Sequence, residues 1–152
     1  MKLIMIKENE IKKNLIVLLS ISALIRGFLA FFIEFGNDEV YYWTYAMYPD
    51  WSHFDHPPMV GLFIQLFSGN LFFTSEFFLR LSSVICMTVN TYLIFLIGKQ
   101  VKNEQTGFYA ALLYTASIYA FVITGVFILP DTPLSIFTLL SVLFFIKYFQ
   151  IG

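Results

Sequence analysis

The sequence predicts an all-α integral membrane protein of about four transmembrane helices, with short interfacial helices in one extended loop. Three observations lead there. Of 152 residues, 59% are hydrophobic and only 12% are charged, about half the charged share of a soluble domain. Mean hydropathy is +0.77, and apolar runs recur near the roughly 20 residues a helix needs to cross the hydrocarbon. The polar and aromatic groups are also gathered. Residues 37–59, NDEVYYWTYAMYPDWSHFDHPPM, hold both histidines and a dense set of tyrosines and tryptophans, as expected where protein meets lipid headgroups. The 19 phenylalanines suit contact with lipid. Net charge is −1, which indicates no nucleic-acid partner. The lone cysteine, Cys86, excludes an internal disulfide framework.

The elements follow in order. Lys2, Lys7, Lys12 and Lys13 precede the first apolar run, residues 15–33. That run lacks a small-residue cleavage site after it and reads as a retained anchor. The first loop covers residues 34–76. Within it, Met59–Phe67 is too short to span as a helix. Pro57 and Pro58 suit its first turn, and Ser68-Gly69-Asn70 stops it, so it is expected at the interface. Further spans are predicted at 77–97, 107–129 and 133–149, with a tight turn at Pro130-Asp131-Thr132-Pro133. If four helices alternate, the N-terminal lysines, Lys99, Lys102 and Lys147 share one side. The positive-inside rule makes that side cytoplasmic. Asp38, Glu39, His56, Arg80 and Asp131 then lie at the extracytoplasmic face, expected to be that of the plasma (inner) membrane.

Each candidate side chain carries two readings. Asp38 and Glu39 follow Asn37, a good N-cap, and carboxylates in a first turn are favoured by the helix dipole. Alternatively one is a general base. A helix here puts Asp38, Tyr42 and Tyr45 on one face, a carboxylate beside phenols where lipid-tailed substrates arrive. Asp55-His56-Pro57-Pro58 is either a rigid return to the membrane or a fixed polar pair. His53, Asp55 and His56 supply too few ligands for a metal cluster, and no residue is assigned to a metal. Arg26 lies seven residues inside the end of the first span; it either snorkels to the interface or has a buried role. Arg80 suits a lipid or substrate phosphate through bidentate hydrogen bonds. Asp131 is a helix start that shares a face with Asp38. Asn90 reads as glue between helices.

These residues resemble the N-terminal part of a polytopic glycosyltransferase with the GT-C fold. The branch most similar holds the protein O-mannosyltransferases and the aminoarabinose transferases of lipid A. The matching pattern is Asn37-Asp38-Glu39-x-Tyr41-Tyr42-Trp43, then Phe54-Asp55-His56-Pro57-Pro58-Met59, then Phe78-Leu79-Arg80-Leu81, then Pro130-Asp131-Thr132-Pro133-Leu134. Four short elements in order, with fitting spans, cover residues 26–149. The resemblance implies a catalytic carboxylate in the first extracytoplasmic loop, at Asp38 first and Glu39 second. It also implies a polyprenyl-phosphate-linked sugar as donor and a protein, lipid or glycan acceptor. Where the aminoarabinose branch has Glu-Lys before the prolines, with the lysine on phosphate, this chain has Asp55-His56. A histidine donates to phosphate too, with a charge that depends on pH.

The resulting expectation is an inverting sugar transfer with Asp38 as base. Arg80, His56 and Arg26, in falling order, are to stabilise the leaving phosphate; Asp55, Tyr42 and Asp131 complete the substrate-binding set. No cofactor is certain, and the sequence leaves open a divalent cation on Asp38 and Asp131, as other GT-C enzymes use. Because family members are several times longer, the chain is expected to be a truncated part, inactive alone. Its partners are then membrane lipids and either further C-terminal helices or a partner chain. The rival is a small four-helix membrane protein or assembly subunit that binds lipid headgroups. A transporter half is a weaker alternative, lacking a repeated pair of broken helices.

Overall fold

A computed structural model describes residues 8–151, and among them no strand occurs. Helices are α1 (Glu8–Phe32), α2 (Asn37–Met47), α3 (Met59–Phe67), α4 (Glu76–Val101) and α5 (Glu104–Ala116). A π-helical turn, Tyr119–Ile123, runs into the short α6 (Thr124–Val126), and α7 covers Asp131–Ile151. Lys2 and Lys7 lie outside the described residues. α1, α4 and α7 are long and apolar enough to cross a membrane, at about 1.5 Å of rise per residue. α1 begins well before residue 15 because the polar segment Glu8-Asn9-Glu10 continues the helix beyond its apolar run.

The expected single span 107–129 is corrected. α5 ends at Ala116, and Tyr119–Val126 leaves it at 76°. The cause is visible in the local sequence. Ser117 is extended (φ −71°, ψ 126°) and its N–H turns back to Tyr114 O at 3.2 Å. A break inside a span frees carbonyls that lipid cannot satisfy, so hydroxyls must do so. Thr124 Oγ1 donates to Tyr119 O at 3.1 Å, and Thr132 Oγ1 to Thr124 O at 3.0 Å.

α4 is the central element, burying Leu79, Arg80, Val84, Met87 and Asn90, whereas α1 and α7 leave most of their apolar surface exposed. Packing and hydrogen bonds hold such helices together, since lipid is as apolar as leucine. α4 meets α5 where Gly98 faces Gly107: a Cβ on Gly98 would lie 2.8 Å from Gly107 Cα. Asn90 Nδ2 donates to Ser135 Oγ at 2.6 Å, tying α4 to α7. At one end of the bundle α2 and α3 form a cap. Tyr45, Ala46, Val60 and Ile64 bury against Leu79 and Ile128. α3 occupies the predicted interfacial segment, and its stop uses left-handed backbone at Gly69 (φ 64°), Asn70 (φ 55°) and Leu71 (φ 63°). Ser68 Oγ accepts from Leu71 N at 3.0 Å, stabilising that turn.

Candidate active site

The N-cap of α2 is Gly36, with extended backbone (φ −78°, ψ 162°), so Asn37 is the first helical residue instead of the expected cap. This one-residue shift places Asp38 and Glu39 in the first turn, pointing apart. Glu39 turns inward and is 3% exposed. Its Oε1 accepts from Arg80 Nε at 2.7 Å and Ile128 N at 3.1 Å; its Oε2 accepts from Arg80 Nη2 at 2.6 Å and Gly36 N at 3.1 Å.

Arg80, with no exposed surface, is equally occupied. Nη1 donates to Ala30 O at 3.2 Å and to Ile33 O, and Nη2 to Glu34 O at 2.9 Å. Those carbonyls close the C-terminal end of α1, where an unsatisfied helix end favours a cation. The guanidinium also lies between the Phe35 and Phe127 rings, at 4.8 and 5.6 Å. Every N–H of Arg80 is thus engaged. The reading of Arg80 as a phosphate ligand gives way to a structural one: it locks α1, α2 and the segment before α7 together. Glu39, with four donors on two oxygens, has the same structural occupation.

Asp38 is exposed. With Gly36, Asn37 and Glu39 it lines a cavity of about 460 Å³ whose opposite wall is Ile123, Phe127 and Leu129. A second cavity, about 340 Å³ and mostly apolar, has His56 and Asp131 among Pro57, Met59, Val60, Pro130, Leu134 and Phe137. A third, of about 420 Å³, descends from Asp131 between the broken span and α7.

Tyr42 connects these groups. Burial raises its pKa, and the nearby Asp55, Asp38 and Asp131 carboxylates add to the rise. Its ring is 5.6 Å from that of His56. Tyr45, placed by spacing beside Asp38, instead donates to Asp55 Oδ1, which also accepts from Tyr41 OH at 2.9 Å. Burial and the Asp55 bond hold the Tyr45 pKa well above the usual phenol range. The Tyr45 hydrogen bond, with those of Tyr41 and the nearness of His56, lowers the pKa of Asp55. His56 Nε2 is 3.8 Å from Asp55 Oδ2, and His53 stacks on Tyr45 at 3.6 Å. Asp55 therefore fastens the loop to α2.

Arg26 does not snorkel. It is fully buried, with Nε 3.4 Å from Phe121 O and the guanidinium 4.9 Å from the Phe121 ring. Nη1 and Nη2 are enclosed and have no hydrogen-bond partner, so the residue proposed for substrate phosphate has no surface to offer one. Gly125 makes room for it: a Cβ there would lie 2.9 Å from Arg26 Nε.

A divalent cation does not fit these donors. Among the described residues no three His, Cys, Asp or Glu side chains converge to hold a metal ion. Sequence reasoning missed Tyr41 and the hydroxyls of Tyr114, Thr124, Ser135 and Thr138 beside the third cavity. Thr132, Ser135 and Thr138 recur every three residues on one face of α7, a signal that was present.

The family model for dolichyl-phosphate-mannose-protein mannosyltransferase matches residues 55–152. The chain belongs to that family. It is thus a member of a membrane glycosyltransferase family of GT-C type, and its candidate spans agree with an integral membrane protein. The matched region holds Asp55, His56, Arg80 and Asp131, while Asp38 and Glu39 precede it. No curated protein and no solved structure matches the chain.

Proposed function

We propose that this chain carries part of the catalytic face of a glycosyltransferase that takes its sugar from a polyprenyl phosphate. The observation that carries the reading is the division between adjacent acids: Glu39 is saturated inside the protein, whereas Asp38 faces a cavity. An exposed carboxylate held at a fixed helix start suits a general base. In the proposed step the acceptor hydroxyl loses its proton to Asp38. Its oxygen bonds to the anomeric carbon as the bond from that carbon to the phosphate oxygen breaks, inverting the centre.

Charge then grows on the departing polyprenyl phosphate and needs a donor. With both arginines enclosed, His56 is the basic side chain beside the apolar cavity, and an imidazole N–H there donates to the phosphate while the apolar walls take the start of the lipid. Lysine placement supports a cytoplasmic N-terminus and an extracytoplasmic α2–α3 cap, in the plasma membrane. Trp51, 93% exposed, and Phe54, fully exposed, suit contact with lipid headgroups beside that cap.

The test uses this chain joined to the C-terminal helices or partner chain that complete it, in membranes, with polyprenyl-phosphate-mannose and a peptide bearing Ser and Thr. Transfer that falls in Asp38→Asn while donor binding is kept supports the reading. Wild-type transfer by Asp38→Asn removes Asp38 from the chemistry.

A further inference from the structure

We propose that the third cavity, between the broken span and α7, is the subsite for the sugar of the donor. This rests on the glycosyltransferase reading above and assigns the sugar a place apart from the lipid. The cavity starts at Asp131 and reaches Thr138 and Leu139, about 12 Å deeper along α7 at 1.5 Å per residue. At about 420 Å³ it lies within the range of small-molecule sites.

Its chemistry selects among ligands. Thr124, Ser135 and Thr138 each give their hydroxyl proton to a backbone carbonyl, at 3.1, 2.7 and 2.9 Å. What remains is acceptor capacity, one lone pair of Ser135 already taken by Asn90 Nδ2. Asp131 adds more: Tyr119 OH donates to its Oδ2 at 2.6 Å, leaving Oδ1 to accept. Tyr114 OH is engaged by the Asn90 amide and gives its proton only to the Met87 sulfur at 3.8 Å, a weak acceptor, so it is a donor that a ligand can recruit. The lining residues include no lysine, arginine or histidine. The nearest cation, Arg26, lies behind Tyr114 and is fully buried outside the lining, so a phosphate here would meet Asp131 without a cation at the cavity surface. A neutral group rich in hydroxyl donors is favoured.

The remaining wall agrees. Met87, Leu134 and Leu139 give an apolar surface beside these oxygens, as the two faces of a pyranose require. The placement links to the apolar cavity of His56 through Asp131, which walls both.

The experiment compares two probes on the full chain in nanodiscs: polyprenyl phosphate and polyprenyl-phosphate-mannose of equal chain length. Thr138→Val keeps shape and removes an acceptor; Tyr114→Phe removes the donor. Each should weaken binding of the mannosylated probe about fivefold, as expected for one neutral hydrogen bond, and leave the bare phosphate unchanged. Thr138→Trp, which fills the cavity, should abolish binding of the mannosylated probe and leave the bare phosphate bound. Equal loss for both probes assigns these groups to the lipid and overturns the proposal, as does unchanged binding of both. A wild-type protein that binds both probes equally gives the sugar no contact and overturns it while leaving the polyprenyl reading intact. A wild-type protein that binds neither sinks that reading, and this one with it.

Discussion

Arg80 and Arg26 are both fully buried among helices, yet their surroundings differ in kind. Arg80 has a carboxylate, three carbonyls at the end of α1 and two aromatic rings. Arg26 has one long bond to Phe121 O and one ring face. The difference lies in what backbone each meets. A helix end offers several carbonyls without intrahelical donors; the inside of a π-turn offers one. A buried charge in a span is secure where a helix ends, and exposed to unpaired cost where a helix only bends. The adjacent acids divide in the same way, Glu39 toward saturation and Asp38 toward a cavity.

The largest effect should come from breaking the saturated pair. Arg80→Met leaves Glu39 buried without a counter-charge and is expected to cost about 3–5 kcal/mol. Arg26→Met removes a desolvated charge with little to lose, and should stay within about 1 kcal/mol of wild type in unfolding of the solubilised protein. Replacing Arg80 and Glu39 together by apolar residues should recover part of the first loss. Equal costs at Arg26 and Arg80 would break the comparison and require a partner for Arg26 within the folded protein.

Next in size is the division between the acids. Asp38→Asn should lower single-turnover transfer by about 10²-fold or more, the range of general acid–base groups, with unfolding unchanged because Asn also suits a helix start. Glu39→Gln should act on folded yield first, since it breaks the buried pair. A well-folded Glu39→Gln that turns over about 10²-fold slower, beside an active Asp38→Asn, would exchange their roles.

Much of this was legible in the chain. Apolar runs gave three of the spans, and Ser68-Gly69-Asn70 marked the end of α3, because length and turn chemistry are local properties. The break after Ala116 was not legible as a break. Ser117 and Gly125 sit in an apolar run of ordinary helical length, and only tertiary partners, Arg26 on Phe121 O and Thr132 on Thr124 O, make the bend tolerable. The site divides likewise. Spacing put Asp38 and Tyr42 on one face, but it could not tell that Glu39 and Arg80, 41 positions apart, meet inside. Arginine in an outer turn reads as available until its partners are seen. Tyr45 lies on the expected face of α2, but its bond to Asp55 was not legible, since Asp55 reaches it from a loop whose path no periodicity describes.

The smallest effect concerns how that loop is fastened, and it sharpens the contrast between a buried and an exposed carboxylate. Asp55 accepts from Tyr45 and Tyr41, and its pKa is lowered relative to a free carboxylate. A lowered folded value means that the ionised form contributes stability above the ordinary carboxylate range, and that this is lost only as pH falls through the lowered value. The segment 48–58 should therefore stay closed from neutral pH down through about pH 4, the ordinary aspartate range, and loosen below it. Because Asp55 is exposed, solvent screens the effect and it stays local. Trp51 fluorescence or protease access to the loop should follow the change while the spans stay folded. Tyr45→Phe removes the largest cause of the lowering, so the loop should release at a higher pH than in wild type, with Tyr41→Phe shifting it less. Release at mildly acid pH in the wild-type protein, well above the carboxylate range, would point to the histidines beside Tyr42 and Tyr45. Asp55 would then be a bystander, and the fastening would depend on ring stacking alone.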